Sequence, residues 1–258
     1  MSAAADGLQL AVAENAFSAY LLALTRTAAF ILVSPPFNAR NVPSRVKATV
    51  ATALALPLSV ATVDRAPTLG TAMLGPMLAE ALIGVAMGFL VLIAVATIQA
   101  VGELLDLVGG FTLSAALDPM LMVQSSVLGR LHQLTAVTVL FASDGHLMVL
   151  RGLATTMPVG GADMLALGDL ARVLTADLGA LLAGALQIAA PVIAAMLIAD
   201  IALGLLTRAA PAINPFALSF PLKIVFTLSL AGLVITRLPQ ALNQGVEDAV
   251  LAVMDLAK

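Results

Sequence analysis

The longest apolar segment of the chain, residues 69–101, constrains the fold more than any other feature of the sequence. A hydrocarbon core of about 30 Å is crossed by roughly 20 helical residues, so this segment is too long for one perpendicular span. Apolar residues make up 61% of the chain and charged residues only 10%, far from the composition of soluble domains. We therefore predict an all-α polytopic membrane protein, with residues 1–258 forming a single membrane domain.

The composition also excludes several classes of function. The net charge of -3 and the scattered basic residues give no basic face for nucleic acid. The chain has no cysteine, which removes disulfides, thiolate metal sites and cysteine nucleophiles. His132 and His146 are too far apart for a metal-binding pair on one helix, so we expect neither a metal nor a cofactor. No Lys or Arg precedes Arg26, so we expect the first apolar segment to be retained rather than cleaved as a signal.

Two charged residues lie inside apolar segments. Arg26 is central in the segment 16–33, where an arginine facing lipid costs about 3 kcal/mol on insertion scales, so we expect it to face protein or water. Glu80 shares a helical face with Gly84 and Gly88, whose spacing lets another helix approach closely. Arg26 is one candidate partner for Glu80, and basic residues of the second segment are others. A structural ion pair and a functional carboxylate both remain open.

The segment 34–47 contains three prolines and the densest positive charge of the chain, from Arg40, Arg45 and Lys47. The positive-inside tendency places this loop in the cytoplasm and the N-terminus outside. The next apolar segment, 48–63, is only about 24 Å long as a helix, which is short for an ordinary span.

The stretch 102–119 interrupts the pattern of membrane helices, and we predict that it forms an irregular loop. In lipid, irregular backbone persists only where protein buries it or where it lines an aqueous cavity. Such a loop suggests a conduit. Its polar and helix-breaking residues are Glu103, Asp106, Gly109, Gly110, Asp118 and Pro119.

The C-terminal half begins with the most polar stretch, residues 158–179, which we interpret as an amphipathic or peripheral connector. Two long apolar segments, 180–206 and 217–238, predict a helical hairpin. The last residues, 239–258, have the spacing of an amphipathic tail helix.

Several phrases of this sequence occur in the same order as in the FliR family of flagellar biosynthesis proteins, which are related to the SctT component of injectisomes. The resemblance spans nearly the whole chain. Its most specific part is the run 203–223, LGLLTRAAPAINPFALSFPLK. The residues of this hairpin motif are Gly204, Arg208, Pro211, Phe216, Phe220 and Pro221. The other matching phrases are Arg26 ahead of the loop 34–47, Glu80 with Gly84, Gly102-Glu103, Asp118-Pro119 and Gly145-His146.

This resemblance implies a subunit of the flagellar type III export gate, located in the bacterial inner membrane at the flagellar basal body. Its implied partners are FliP-like, FliQ-like, FlhB-like and FlhA-like proteins, together with unfolded flagellar subunits in transit. No enzymatic activity is implied. Residues 1–157 would be FliP-like and residues 180–238 FliQ-like, and the assembled gate would be lifted partly out of the bilayer, so that not every apolar helix spans it.

The resemblance also implies roles for particular residues. The family's plug, a loop that helps to hold the channel closed, corresponds to residues 109–119, although the family often has an aromatic residue about where Leu113 stands. The plug residues are Gly109, Gly110, Phe111, Thr112, Leu113, Ser114, Ala115, Ala116, Leu117, Asp118 and Pro119. The charges expected to be buried in helix or subunit contacts are Arg26, Glu80, Glu103, Asp106, Asp200 and Arg208.

A secondary transporter or proton channel is the alternative, with Glu80, Glu103 and Asp200 as an ion relay. Transporters commonly have corresponding broken helices in their two halves, and the stretch 102–119 has no counterpart around residues 191–208. An intramembrane enzyme lacks a matching catalytic motif.

Overall fold

The computed structural model describes residues 2–39, 42–111, 126–157, 167–210 and 214–256. Within these ranges the chain is helical with no strand, which confirms the predicted all-α class. Two short 3₁₀ segments, Val60–Arg65 and Thr71–Met73, follow the second helix. The helices are α1 (Ser2–Val33), α2 (Ser44–Ser59), α3 (Leu74–Gly109), α4 (Val127–Ala142), α5 (Gly145–Thr156), α6 (Leu167–Ala209), α7 (Pro215–Ile235) and α8 (Leu238–Leu256).

Five helical segments of the described ranges are long and apolar enough to cross a membrane, which confirms the predicted polytopic membrane architecture. At 1.5 Å per residue, the 36 residues of α3 extend about 54 Å and the 43 residues of α6 about 65 Å, well beyond a core of about 30 Å. The five segments are Val12–Val33, Ser44–Arg65, Thr71–Gly109, Ala171–Ala209 and Leu218–Ile235.

The predicted loop 102–119 is wrong in its first part, because α3 continues without a break to Gly109. Membrane helices tolerate glycine where another backbone packs closely, and the backbone of Leu128 packs against Gly102. The polar side chain of Asp106 does not end the helix, since it finds hydrogen-bond partners inside the protein.

Helix α3 ends where the sequence has its glycine pair. Gly110 has φ = 79°, a left-handed conformation that glycine adopts without steric cost and that commonly ends helices. Residues 112–119 of the predicted plug lie outside the described residues.

The predicted connector 158–179 is not a separate helix over its described part. From Leu167 onward its residues form the first turns of α6, which passes through Gly179 and Pro191 without ending. A Cβ at Gly179 would have no neighbour within 4 Å, so packing does not break the helix there. The division of the chain at residues 157 and 179 stays a prediction.

Helices α4 and α5 are separated by Ser143 and Asp144 alone. Asp144 has φ = 58° and immediately precedes α5. Asp is among the residues that tolerate this left-handed conformation, which explains why the chain turns at this point.

Contacts divide the chain into two compact units. One contains Met1–Ile93, Asp144–Asp177 and Gly245–Lys258, and its described core includes the fully buried Phe30, Leu90 and Leu153. The other contains Ala94–Ser143 and Leu178–Gln244, with Ile98, Leu105, Leu140 and Met196 fully buried. The predicted tail helix is present as α8, whose apolar stripe of Leu238, Leu242, Val246 and Val253 is buried.

Candidate functional site

A buried ion pair joins α1 to α3. The Arg26 guanidinium donates from Nε to Glu80 Oε2, and both side chains are buried. Arg26 Nη1 also donates to Thr156 Oγ1 of α5 at 3.2 Å, so one arginine links three helices. A lone charge here would be expensive in an apolar interior, so the loss of either partner is costly.

The two glycines of α3 lie at the same contact as this ion pair. A Cβ on Gly84 would overlap the carbonyl oxygen of Arg26, and a Cβ on Gly88 would lie 2.9 Å from the carbonyl oxygen of Phe30. The predicted spacing of small residues therefore lets the backbone of α1 touch α3.

A second buried carboxylate, Asp106, holds the beginning of α4. Asp106 accepts a hydrogen bond from the hydroxyl of Ser126 and another from the amide of Leu128 at 3.1 Å. Ser126 in turn accepts a hydrogen bond of 2.7 Å from the amide of Gly129 and is the N-cap of α4. Because Ser126 is the first described residue after the predicted plug, Asp106 ties together the two ends of the segment 107–125. We call these contacts of Asp106 with Ser126 and Leu128 the Asp106 clasp.

Close backbone packing surrounds the Asp106 clasp. A Cβ on Gly102 would overlap the carbonyl oxygen of Leu128, and one on Gly129 would lie 2.8 Å from Glu103 Cγ. His132, one turn further along α4, is buried and its Nδ1 lies 2.8 Å from the carbonyl oxygen of Leu128. A carbonyl only accepts, so Nδ1 carries the proton, and this hydrogen bond lies within the first turns of α4 itself.

The last turn of α3 rests on α7. A Cβ on Gly109 would lie only 2.6 Å from Thr227 Oγ1 and 2.9 Å from Thr227 Cγ2. Thr227 is fully buried, and its hydroxyl lies 3.7 Å from Met196 Sδ of α6. Phe111, two residues after Gly109, is half-buried.

The hairpin of α6 and α7 exposes most of its apolar surface. Only 22% of the most apolar window of Ala171–Ala209 and 17% of that of Leu218–Ile235 is buried, against 61% for α3. Asp200 pairs with Lys223 across the hairpin, with Oδ1 and Nζ 2.6 Å apart. A cavity of about 530 Å³ with an apolar lining lies between the two helices. The exposed apolar side chains include Leu197, Ile198, Ile201, Leu205, Val225 and Leu228.

Three of the six charges predicted to be buried are exposed in this chain. Glu103 lies on the outer face of α3 and accepts a hydrogen bond of 2.8 Å from Gln99. The Asp200 side chain is 45% exposed beside Lys223, and Arg208 is exposed in the last turn of α6. Their helices turn these three positions away from the packed interior of the single chain, although Asp200 contacts a second helix through Lys223. Contact with another subunit remains a prediction for them.

The hairpin motif is only partly described. Gly204 is exposed, and a Cβ added to it would have no neighbour within 4 Å. Phe220 is half-buried, and Pro221 is exposed inside α7. Pro211 and the side chain of Phe216 lie outside the described residues. Among the described side chains, no group of three His, Asp or Glu residues is arranged to hold a metal ion.

Comparison with known proteins identifies the family. The sequence profile of the bacterial export proteins, family 1, matches residues 17–249. The chain belongs to this family. It is similar to the flagellar biosynthetic protein FliR of Bacillus subtilis, with 30% identity over 81% of this chain and 82% of the relative. It is also similar to FliR of Escherichia coli, with 30% identity over 82% of each protein.

A further relative, the surface presentation of antigens protein SpaR of Shigella flexneri, is 27% identical over 59% of each chain. The predicted membership of the FliR family is thus confirmed, and with it the function of a subunit of the flagellar type III export gate. Family members are components of an export apparatus, and the apolar helices of this FliR-type chain place it in a membrane.

Four residues of these contacts are not predicted from the sequence. Ser126 has a recognisable signal, because a serine directly before an apolar helical run is a typical N-cap. No sequence signal predicts the contacts of Thr156, Thr227 and Lys223, because a single polar residue in an apolar segment does not reveal which helix it contacts.

Proposed function

We propose that this FliR-type chain completes a helical FliP, FliQ and FliR channel in the bacterial inner membrane, at the base of the flagellum. Unfolded flagellar subunits would pass through this channel, and FlhB-like and FlhA-like proteins would associate with it. The chain would act as a structural and conducting component without catalysis.

One observation carries most of the proposal: the hairpin of α6 and α7 leaves most of its apolar surface uncovered. Large continuous apolar surfaces of this kind are covered by lipid or by protein. The apolar part of α6, residues 180–206, extends about 40 Å, which is longer than a hydrocarbon core of about 30 Å. A FliQ-like neighbour packed along the hairpin accounts for the remaining surface.

We further propose that the segment 109–119 closes the channel at rest. Two contacts at its base support this role. The Asp106 clasp joins the residues before and after the segment, and Gly109 is seated against Thr227. The segment is held at its base and begins at a glycine pair, where α3 ends. These two features suit an element that closes the channel at rest and moves aside when a subunit passes.

Purification in a mild detergent tests the assembly. We expect the chain to elute in a large complex with FliP-like and FliQ-like proteins, and Arg208→Ala or Phe220→Ala to reduce the FliQ-like protein recovered. Glu247→Ala, in the exposed face of α8, serves as the matched control and leaves recovery unchanged. A chain that elutes alone and conducts protons after reconstitution would instead favour the transporter or proton channel.

Deletion of residues 109–116 tests the closing role. We expect the complex to assemble in normal amount while the membrane becomes leaky to small ions. If the deletion complex assembles fully and the membrane stays impermeable to ions, the closing role is refuted. The proposed assembly with FliP-like and FliQ-like proteins would still stand.

A further inference from the structure

The contact between Gly109 and Thr227 joins two parts of the molecule with different proposed tasks. Gly109 is the last residue of α3 and the first of the segment proposed to close the channel. Thr227 lies in the middle of α7, in the hairpin proposed to meet the neighbouring subunit. Both residues belong to the same compact unit, so this contact lies within one packed body.

The contact tolerates no additional atom. A Cβ on Gly109 would stand 2.6 Å from Thr227 Oγ1 and 2.9 Å from Thr227 Cγ2, closer than real Cβ atoms approach their neighbours. The γ atoms of threonine are short and stiff, since both branch directly from Cβ, and they cannot swing aside as a long side chain can. Any side chain at position 109 therefore displaces the end of α3.

Thr227 is itself fixed by the hairpin. Its side chain is fully buried, and its hydroxyl contacts Met196 Sδ at 3.7 Å, so that α6 supports it from behind. The position of Gly109 thus depends on how α6 and α7 pack against each other.

The direction in which the chain leaves α3 is decided at this same place. Gly110 adopts φ = 79° directly after the seated residue, so the path of the following segment starts from the Gly109 position. A shift of the last turn of α3 therefore also shifts the point from which the following segment starts.

We infer that Thr227 is a positioning residue of the export gate: backed by Met196, it seats Gly109 and thereby sets the base of the closing segment from the FliQ-like hairpin. This inference rests on the closing role proposed above. It assigns to the hairpin, besides subunit contact, control over where the closing segment begins.

A compensating pair of substitutions tests this inference. Gly109→Ala introduces the overlap with Thr227, and we expect a several-fold rise in ion leak toward the level of the 109–116 deletion. Thr227→Ala removes both γ atoms, unseats Gly109 and raises the leak to a smaller extent. The double variant Gly109→Ala/Thr227→Ala places the new methyl group in the vacated space, and we expect the leak to fall back toward that of the wild type. The methyl group then still meets Phe111 Cδ2 at 3.1 Å, a contact that a half-buried ring can relax.

The matched control is Gly75→Ala, on the same helix as Gly109 but with no neighbour within 4 Å of its Cβ position. It should leave the leak unchanged. All variants are compared at equal amounts of assembled complex, recovered with the FliP-like and FliQ-like partners, because a purely structural defect lowers the amount of complex instead of its tightness.

The outcomes separate the two proposals. If the 109–116 deletion leaks but assembled Gly109→Ala does not, or if the double variant leaks as much as Gly109→Ala, this inference is overturned and the closing role stands. If the assembled deletion is tight, the closing role fails, and this inference fails with it.

Discussion

Asp106 and Ser126, twenty residues apart in the sequence, are joined by a hydrogen bond between carboxylate and hydroxyl. This hydrogen bond holds the end of α3 against the N-cap of α4. In the sequence, α3 ends at Gly109, between the two residues. The carboxylate is buried, and it also accepts from the amide of Leu128. The residues that flank the segment 107–125 are thus held together by hydrogen bonds of Asp106 in which the segment takes no part.

Asp106→Asn should weaken the Asp106 clasp. Hydrogen bonds to a charged group contribute about 1.5–3 kcal/mol, so we expect a loss of this size, seen as a lower midpoint in thermal unfolding of the assembled complex. Glu247→Gln, on the exposed face of α8, is the control and should change stability by no more than about 0.5 kcal/mol. Equal effects from the two substitutions would argue against the clasp.

Breaking the Arg26–Glu80 pair should destabilise the chain strongly. Glu80→Gln leaves a buried arginine without its counter-charge, at a cost of about 3–5 kcal/mol, and we expect much less protein in the membrane. The double variant Arg26→Met/Glu80→Met removes both charges and keeps similar volume, so its abundance should recover well above that of either single change. A double variant no more abundant than Glu80→Gln would mean that the charge pair is needed for more than folding.

The close approach of α1 to α3 predicts a sharp difference between two glycines of the same helix. Gly84→Ala forces its methyl group against the Arg26 carbonyl oxygen, and such overpacking costs typically about 1–3 kcal/mol. Gly75→Ala, near the start of α3, meets nothing within 4 Å and should leave thermal stability unchanged or slightly higher. If both variants unfold at the same temperature, the two backbones do not touch as described.

The uncovered hairpin predicts a steric block of assembly. Ile201→Trp keeps the exposed surface of α6 apolar, so insertion into the membrane is preserved, but the larger side chain hinders close packing of a neighbouring helix. We expect reduced recovery of the FliQ-like partner at an unchanged level of the chain itself. Leu251→Trp, at a similarly exposed apolar position of α8, provides the control. Normal recovery with Ile201→Trp would place the FliQ-like contact elsewhere.

The sequence predicts the helices of this fold well, because apolar runs and prolines are local signals. It fails at residues 102–109, where a glycine, two carboxylates and a glycine pair suggest a break. The helix persists there because these residues meet neighbours that a local pattern does not contain. Asp106 finds Ser126, and Gly102 meets the backbone of Leu128. Long-range partners decide whether such residues break a helix or pack it.

The charged residues of the candidate site also show that the sequence alone does not predict which side chains are buried. Arg26 and Glu80 lie in the middle of apolar segments, where the cost of an unpaired charge itself points to a partner, and the structure joins them. Asp200 and Arg208 lie in segments that are just as apolar, yet both are exposed in the single chain. Hydropathy reports how apolar a segment is and does not report which of its faces meets protein.

The length of α6 has a practical consequence for work with this protein. Even when tilted by about 40°, a helix of 43 residues rises about 50 Å, so part of it lies outside a bilayer of ordinary thickness. The thickness of the bilayer therefore does not set the length of this helix. A nanodisc or detergent belt will cover the apolar turns 180–206 and leave the polar first turns of α6, before residue 180, in water.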